Sequence, residues 1–367
     1  MELKIVREKL LEPLQLIMGV VDTRTTLPIL SHVLLRVDGQ QLILTATDTE
    51  VELQSYGVLA EEVPAFSITL SGRILLDICR TLPEASLLRI TFTEGRANLK
   101  AGRGQYAIPT LSPEKFPNHD LDVATVELQV SGEKIKKLIE STAFCMGQAD
   151  VRYYLNGLLW HLQPNQLTTV ASDGHRMALT REAIDWAQEG EQRVIVPRKG
   201  VAELLRLLST DEIVTVKLSS NHLSVLSDSF VFTSKLIEGS YPEYQRFIPK
   251  QQQNQVIINR SGLKQLLTRI SLYTNDKFRT VKCEFLTNLL KVSSFSPDAE
   301  HAEEEIEIDY QGPEATLGFN VSYLQDCLNA ITMEQVMIRF SAGNQGVLLE
   351  PVEEGSQTIY VIMPICL

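Results

Sequence analysis

Apolar residues recur along this chain in two rhythms, one of a helix and one of a strand. Leu10, Leu14, Ile17 and Met18 repeat at three- and four-residue spacing, which predicts an amphipathic helix over 7–18, distorted where Pro13 falls past its first turn. The same face returns as Ile135, Leu138 and Ile139 in 132–142, and as Leu263, Leu266, Leu267 and Ile270 in 261–272. Aligning Leu10, Ile135 and Leu263 gives steps of 125 and 128 residues. A second set of helices is predicted at Leu70–Leu82, Val196–Leu208 and Phe319–Ile331; there Asp77, Glu203 and Asp326 align at steps of 126 and 123.

Between the two helices of each copy the rhythm changes to alternation. The middle copy is the fullest. Arg152 and two tyrosines precede a strand Leu158–Leu162, a Gln-Pro-Asn-Gln turn, a strand Leu167–Ala171 and the polar corner Ser172–Arg176. The first copy ends its two segments at Asp48 after a loop with Arg24, and the third ends at Asp298 after Arg279. Alternating strands lead into the second helices (Phe66–Leu70, Arg193–Val196, Ala315–Phe319), and Val336–Phe340, Gly346–Glu350 and Ile359–Met363 close the chain. Four near-equal steps from two independent landmarks predict three copies of one α+β domain, each with two helices packed on antiparallel sheets. Their limits are expected at 1–122, 126–250 and 254–367, with linkers near Asp120–Val126 and Pro249–Gln255.

The length of 367 residues agrees with several domains, and 44% hydrophobic with 22% charged residues is a globular balance. There is no apolar run of the length a membrane span needs, and the N-terminal ten residues lack a signal-peptide core. Five cysteines, Cys79, Cys145, Cys283, Cys327 and Cys366, form no CxxC, so thiols in a reducing, cytoplasmic setting are expected. A net charge of −12 argues against nucleic acid until its distribution is examined. The six helical stretches 7–18, 71–82, 132–142, 197–208, 260–271 and 320–331 hold 13 Lys/Arg and 7 Asp/Glu, leaving 21 basic and 39 acidic residues elsewhere. Helices lying side by side would therefore form a basic surface on an acidic body, suited to phosphates of any base sequence. Solvated helix faces commonly carry Lys and Arg too, so the count alone leaves both readings open.

No phosphate-cradling glycine loop, HExxH or paired CxxC is present, and the six histidines (His32, His119, His161, His175, His222, His301) are dispersed, so no cofactor or metal is expected. Ser172, Asp173 and His175 invite a hydrolase reading. Neighbours in one turn cannot aim each side chain at the next, and an Asx turn explains Asp173-Gly174 better. Glu303-Glu304-Glu305, continuing as Glu307 and Asp309, reads as a solvated strand. A non-catalytic binder of nucleic-acid phosphates, such a hydrolase and a protein-only repeat scaffold are the three candidate functions.

Asp150–Gly157 (DVRYYLNG), the Asp173–Arg176 corner, Val194–Val201 (VIVPRKGV), Phe232–Leu236 (FTSKL), Gly318–Tyr323 (GFNVSY) and Tyr360–Pro364 (YVIMP) closely resemble the bacterial DNA polymerase III β subunits, the sliding-clamp family. The likeness runs from Leu27–Leu30 to the C-terminus. It implies a head-to-tail homodimer closed as a ring of six similar domains, with helices lining a hole and sheets outside. Such a ring holds duplex DNA by topology rather than tight contact, keeps a tethered polymerase near the primer end, and makes or breaks no bond. Its implied partners are double-stranded DNA, a second copy of the chain, and short peptides from the polymerase III α subunit, the clamp loader, other polymerases and repair proteins; no membrane is involved.

By the same resemblance, Arg24, Arg73, Tyr153, Tyr154, Arg198 and Lys199 match DNA-contacting positions. The family often has Gln immediately before Asp150; here Ala149 stands there, with Gln148 one place earlier. The peptide pocket is matched by Leu155, Ser172, Gly174, His175, Arg176, Met177, Pro242, Arg246, Phe247, Asn320, Tyr323, Val361, Ile362, Met363, Pro364 and Ile365. Met177 replaces a common Leu, and Cys366 replaces a usual Arg. The ring seam is expected to set Tyr106 and Ile108 of one chain against Leu272 and Tyr273 of the other, flanked by Arg96 and Arg103 facing Glu300, Glu303 and Glu304.

Overall fold

The computed structural model describes residues 2–22, 24–93, 95–117, 123–188, 190–274, 279–294, 301–341 and 345–367. His119, Asp298, Glu300 and the start of the first linker at Asp120 lie outside the described residues.

Among the described residues six α-helices form: α1 (Arg7–Ile17), α2 (Gly72–Thr81), α3 (Gly132–Glu140), α4 (Arg198–Leu207), α5 (Arg260–Ser271) and α6 (Val321–Ala330). Each begins on the residue directly after a strand ends. The strands therefore reach further than the apolar rhythm suggests: Leu70 and Ser71, Val196 and Pro197, and Phe319 and Asn320 are all extended, where the sequence predicts helix. Asn259 and Asn320 end their strands as caps, accepting from Gly262 N at 2.8 Å and Ser322 N at 2.9 Å. Pro13 lies inside α1 without ending it, and its carbonyl, one turn from the helix end, accepts from Ser55 Oγ at 2.7 Å.

By internal contact the chain divides into two compact units, Met1–Glu133 with Lys199–Leu236, and Lys134–Arg198 with Ile237–Leu367. The middle repeat is shared between them. In the first unit one sheet of ten strands joins the first repeat to the second half of the middle one, through Phe230–Lys235 paired with Val51–Ser71. In the second unit an eight-stranded sheet joins the first half of the middle repeat to the third, through Arg176–Ala183 paired with Ile359–Ile362. A four-stranded sheet completes that unit.

The hairpins fall where the alternation puts them in the second and third copies, as Gly157–Gln163 with Gln166–Ser172 and Thr280–Leu286 with Leu289–Ser294. Asn165 and Asn288 turn them with φ near +60°. In the first copy extended backbone runs without a break from His32 to Thr47. Its register with Val51–Ser71 shifts on both sides of Gly39, which takes the same left-handed φ of +61°. Edge strands such as Glu2–Val6 and Asn254–Asn259 bury alternate residues, whereas Gly157–Leu162 is buried on both faces. That fully covered hairpin is the platform for the site below.

Candidate functional site

The corner Ser172–Arg176 is a closed turn. Asp173 Oδ1 accepts from the backbone N–H of His175 at 2.9 Å and of Arg176 at 3.0 Å, while Ser172 Oγ donates to Arg176 O at 2.8 Å. These bonds hold the Asp173 carboxylate and Ser172 hydroxyl to the turn itself, so Ser172, Asp173 and His175 form no nucleophile–base–carboxylate chain. Arg176, the last residue of the turn, threads inward. Its Nε donates to Asp173 Oδ2 at 3.0 Å, Nη1 to Asp326 Oδ2 at 2.6 Å and Nη2 to Phe144 O at 3.1 Å. The guanidinium also lies 4.4 Å from the Tyr323 ring centroid and 5.5 Å from that of Phe144. His175 also stacks near-parallel to Tyr323, at 22° with centroids 6.5 Å apart. Met363 N then donates to His175 O at 2.9 Å, fixing the terminal strand to the corner.

Beside this corner opens a cavity of about 310 Å³. Ten of the pocket residues expected from the sequence line it: Leu155, Ser172, Gly174, His175, Arg176, Met177, Pro242, Phe247, Val361 and Met363. Six others do not. Tyr323 lies under Arg176 and His175, Asn320 caps α6, and Ile362 is fully buried on the opposite face of its strand from Val361 and Met363. Ile365 N bonds to Gly318 O at 2.8 Å; it and Pro364 follow the strand beyond the lining, and Arg246 is exposed on the turn Tyr244–Phe247.

Four further lining residues, Arg152, Tyr154, Tyr241 and Tyr244, are not predicted as pocket residues. The available signal is the aromatic pair around Pro242, spaced so that Tyr241 and Tyr244 enter one core cluster with Leu155, Met177, Leu179 and Val361. Burial pushes both phenols above their ordinary range. Arg152 closes one edge of the mouth through Asp150, with Nε to Oδ1 at 3.0 Å and Nη2 to Oδ2 at 2.8 Å. Those bonds hold the Asp150 carboxyl down at about 2. The cavity thus has an apolar, aromatic and thioether wall with a polar rim whose arginines are paired to carboxylates, chemistry that accepts large apolar side chains of varied shape.

The residues expected against DNA divide by their partners. Tyr153 is 57% exposed, whereas Tyr154 is half-buried and turns edge-on to both Tyr153 and Tyr241. Arg24 and Gln148 are exposed. Arg73 pairs with Asp77 at 2.9 Å one helical turn on. Arg198 donates to Met146 O at 3.0 Å and Lys199 bridges to Asp48. The basic count over the helices also needs correction: Arg7 and Arg260, the first residues of α1 and α5, turn back onto carbonyls of α2 and of the α6 end, and Lys137 and Arg269 are held by Glu182 and Glu304. At the expected seam, Tyr106, Leu272 and Tyr273 are 37%, 77% and 47% exposed, but Ile108 is 1% exposed and belongs to its own core. Ile108 shares a sheet face with Tyr106 and is covered where Tyr106 is not.

Among the described residues no group of three or more His, Cys, Asp or Glu is placed to hold a metal, and no helix is long and apolar enough to cross a membrane. The chain matches three family models in succession: the DNA polymerase III β subunit N-terminal domain over 1–120, central domain over 129–243 and C-terminal domain over 245–366. It is 42% identical to the beta sliding clamp of Pseudomonas putida and 38% identical to that of Escherichia coli, with 99% of both chains covered in each case. The crystal structure of the Pseudomonas aeruginosa DNA polymerase III β subunit superposes with a TM-score of 0.98 at 40% identity, covering 100% of both chains. A Thermotoga maritima β subunit at 22% identity keeps the same fold, with a TM-score of 0.91. The three-domain clamp fold, two helices per repeat and a site built for binding rather than bond chemistry thus agree with full-length likeness, and the chain belongs to the DNA polymerase III β subunit family, the sliding clamps that give a DNA polymerase processivity without catalysing a reaction themselves.

Proposed function

We propose that two copies of this chain close head to tail around duplex DNA, as ring dimers of the family do, and that the cavity beside Arg176 receives short peptides of proteins working on that DNA. DNA and a polymerase are its partners as a sliding clamp; the finer assignment is to the polymerase III α subunit, the clamp loader, and other polymerases and repair proteins in the cytoplasm. The three repeats, with limits at 1–122, 126–250 and 254–367, supply the domains of each half-ring. Arg24, Arg73, Gln148, Tyr153, Tyr154, Arg198 and Lys199 are assigned to DNA. Tyr106 is assigned to the seam against Leu272 and Tyr273, with Ile108 supporting it from beneath.

The observation that carries the peptide assignment is the cavity of about 310 Å³ walled by Met177, Met363, Val361, Pro242 and Phe247. Several proteins must share one clamp, and thioether and aromatic walls repack around different anchors at low cost. A fluorescein-labelled hexapeptide ending in Leu-Phe is expected to bind, and Phe247→Asp, on a side chain 60% exposed, is expected to weaken it at least tenfold without changing the unfolding temperature. Equal affinity for both proteins would reject the pocket. Leu272→Asp is expected to halve the solution mass, and an unchanged dimer mass would reject the seam.

A further inference from the structure

Behind the cavity wall lies a polar network that reaches the lining through Tyr244 alone among the described residues. Tyr244 is 2% exposed and its ring forms part of the wall, yet its hydroxyl is bonded to Nδ1 of His161 at 2.9 Å. His161 is 0% exposed, on the strand Gly157–Gln163. Its Nε2 lies 2.8 Å from Glu191 Oε2. An ionised carboxylate has no hydrogen to give, so Nε2 carries a proton, and in the neutral imidazole Nδ1 then accepts from the Tyr244 O–H; Arg193 Nε stands 3.4 Å from the same Nε2. Arg193 closes the circuit, with Nε 3.4 Å from Glu191 Oε1 and Nη1 2.7 Å from Glu243, the neighbour of Tyr244 in sequence.

The circuit matters because of what it tethers. Tyr244 opens the short turn Tyr244–Phe247, and that turn supplies two wall residues, Tyr244 and Phe247. The turn has no side-chain cap of its own. Among the described residues its side-chain hydrogen bonds to the sheet are the His161 bond from Tyr244 and the Arg193 bond from Glu243, beside the packing of Tyr244 in the core cluster. A buried phenol that lost its acceptor would retain a desolvated O–H, and the turn would shift to hydrate it.

We propose that His161 is a positioning residue for the partner-peptide cavity: it holds the Tyr244–Phe247 turn against the sheet and so sets the affinity for the apolar side chain bound there. This rests on the reading of the cavity as a peptide pocket. Glu191 orients the imidazole, and Arg193 with Glu243 braces the turn from its other side.

The test measures binding of the same Leu-Phe hexapeptide, and thermal unfolding, for Tyr244→Phe, His161→Phe, His161→Gln and the double variant Tyr244→Phe/His161→Phe. Loss of the shared bond is expected to raise Kd about three- to tenfold in either single variant. The double variant should be no weaker than the worse single one, and His161→Gln, which keeps an acceptor, should recover most of the affinity. Unchanged Kd in Tyr244→Phe and His161→Phe, with only the unfolding temperature lowered, would overturn the proposal and leave His161 a core residue. Additive losses would overturn it as well. Tyr244→Phe removes one oxygen, so it carries the test if His161→Phe fails to fold. A wild-type protein that does not bind the peptide, or binding that survives Phe247→Asp, overturns the pocket reading and this proposal with it; binding lost in Phe247→Asp but untouched in the tether variants overturns this proposal alone.

Discussion

Arg7 Nε donates to the carbonyl oxygen of Cys79 at 2.7 Å, so the first residue of α1 closes the C-terminal turn of α2. The third repeat repeats the device: Arg260 opens α5 and donates to Leu328 O of α6 at 3.1 Å and to Met333 O at 2.8 Å. The equivalent position of the middle repeat is Gly132, where an added Cβ would stand 2.0 Å from Ser209 O, just past the end of α4. Close backbone approach replaces the guanidinium there. A cation at a helix C-terminus satisfies orphan carbonyls and opposes the dipole. Arg7→Ala and Arg260→Ala are each expected to lower stability by about 1–2 kcal/mol, read as a lower urea midpoint with an unchanged slope. Gly132→Ala should cost more than either. Variants indistinguishable from wild type would mean the bonds are incidental.

Arg176 links three separate segments through Asp173, Phe144 O and Asp326, and its side chain is only 10% exposed. Arg176→Ala would strand a polar cluster and is expected to destabilise by about 3–5 kcal/mol. Lys is a poor substitute, because it cannot reach three acceptors while lying flat on the Tyr323 ring. Asp326→Asn should cost less, since that carboxylate is 40% exposed. Denaturant titration of the three variants checks the order Ala worst, Lys intermediate and Asn mildest.

Four of the five thiols are buried and only Cys366 is exposed. Burial pushes Cys79 up to about 11 and Cys283 up to about 12, and raises Cys145 and Cys327 well above the ordinary thiol range. Thiolate is the reactive form, so slow attack at the buried four is expected from both access and charge. Iodoacetamide at pH 8 should add one label to the folded chain, at Cys366, and five after unfolding, by intact mass. Rapid labelling of Cys145 or Cys327 in the folded state would contradict the packing around Arg176.

The Asp150 carboxyl is held at about 2 by the Arg152 side-chain bonds first and by the Arg152 backbone N–H second. A carboxyl depressed in the folded state stabilises above its unfolded value, near 4, and that contribution fades as the pH falls from about 4 toward 2. The Asp150 carboxyl carbon shift is therefore expected to titrate with a midpoint near 2, and to return toward 4 in Arg152→Ala. The cavity mouth should keep its Arg152 edge at any pH above that window.

The parts of this fold that were legible in the sequence are local ones. Leu10, Ile135 and Leu263 mark helix faces because a helix repeats within a few residues, and Asn165 and Asn288 mark turns because their own backbones take the left-handed conformation. The partners of Arg7 and Arg260 were not legible. The carbonyls they reach lie about 70 residues away, and a carbonyl leaves no trace in the residue type. The same blindness made those two arginines count toward a basic surface. Alternation puts Ile108 and Tyr106 on one face but does not say what covers it, so the burial of Ile108 beside an exposed Tyr106 is not legible in the sequence. Motif likeness names ten of the residues that line the cavity, but not Tyr241 and Tyr244, because a phenol in a wall and one in a core have the same pattern. His161 was set aside as one of six scattered histidines; only the fold brings Glu191 and Tyr244 to its two nitrogens.

Retention on DNA as a function of DNA ends tests the central claim most directly. The chain is loaded by a clamp loader with ATP onto nicked circular duplex, isolated by gel filtration, and followed after a single restriction cut. The account predicts that the protein stays with the circle through high salt and leaves within the time of linearisation, because topology rather than phosphate contact holds it. Retention that falls with salt on the circle and is unchanged by the cut would contradict it.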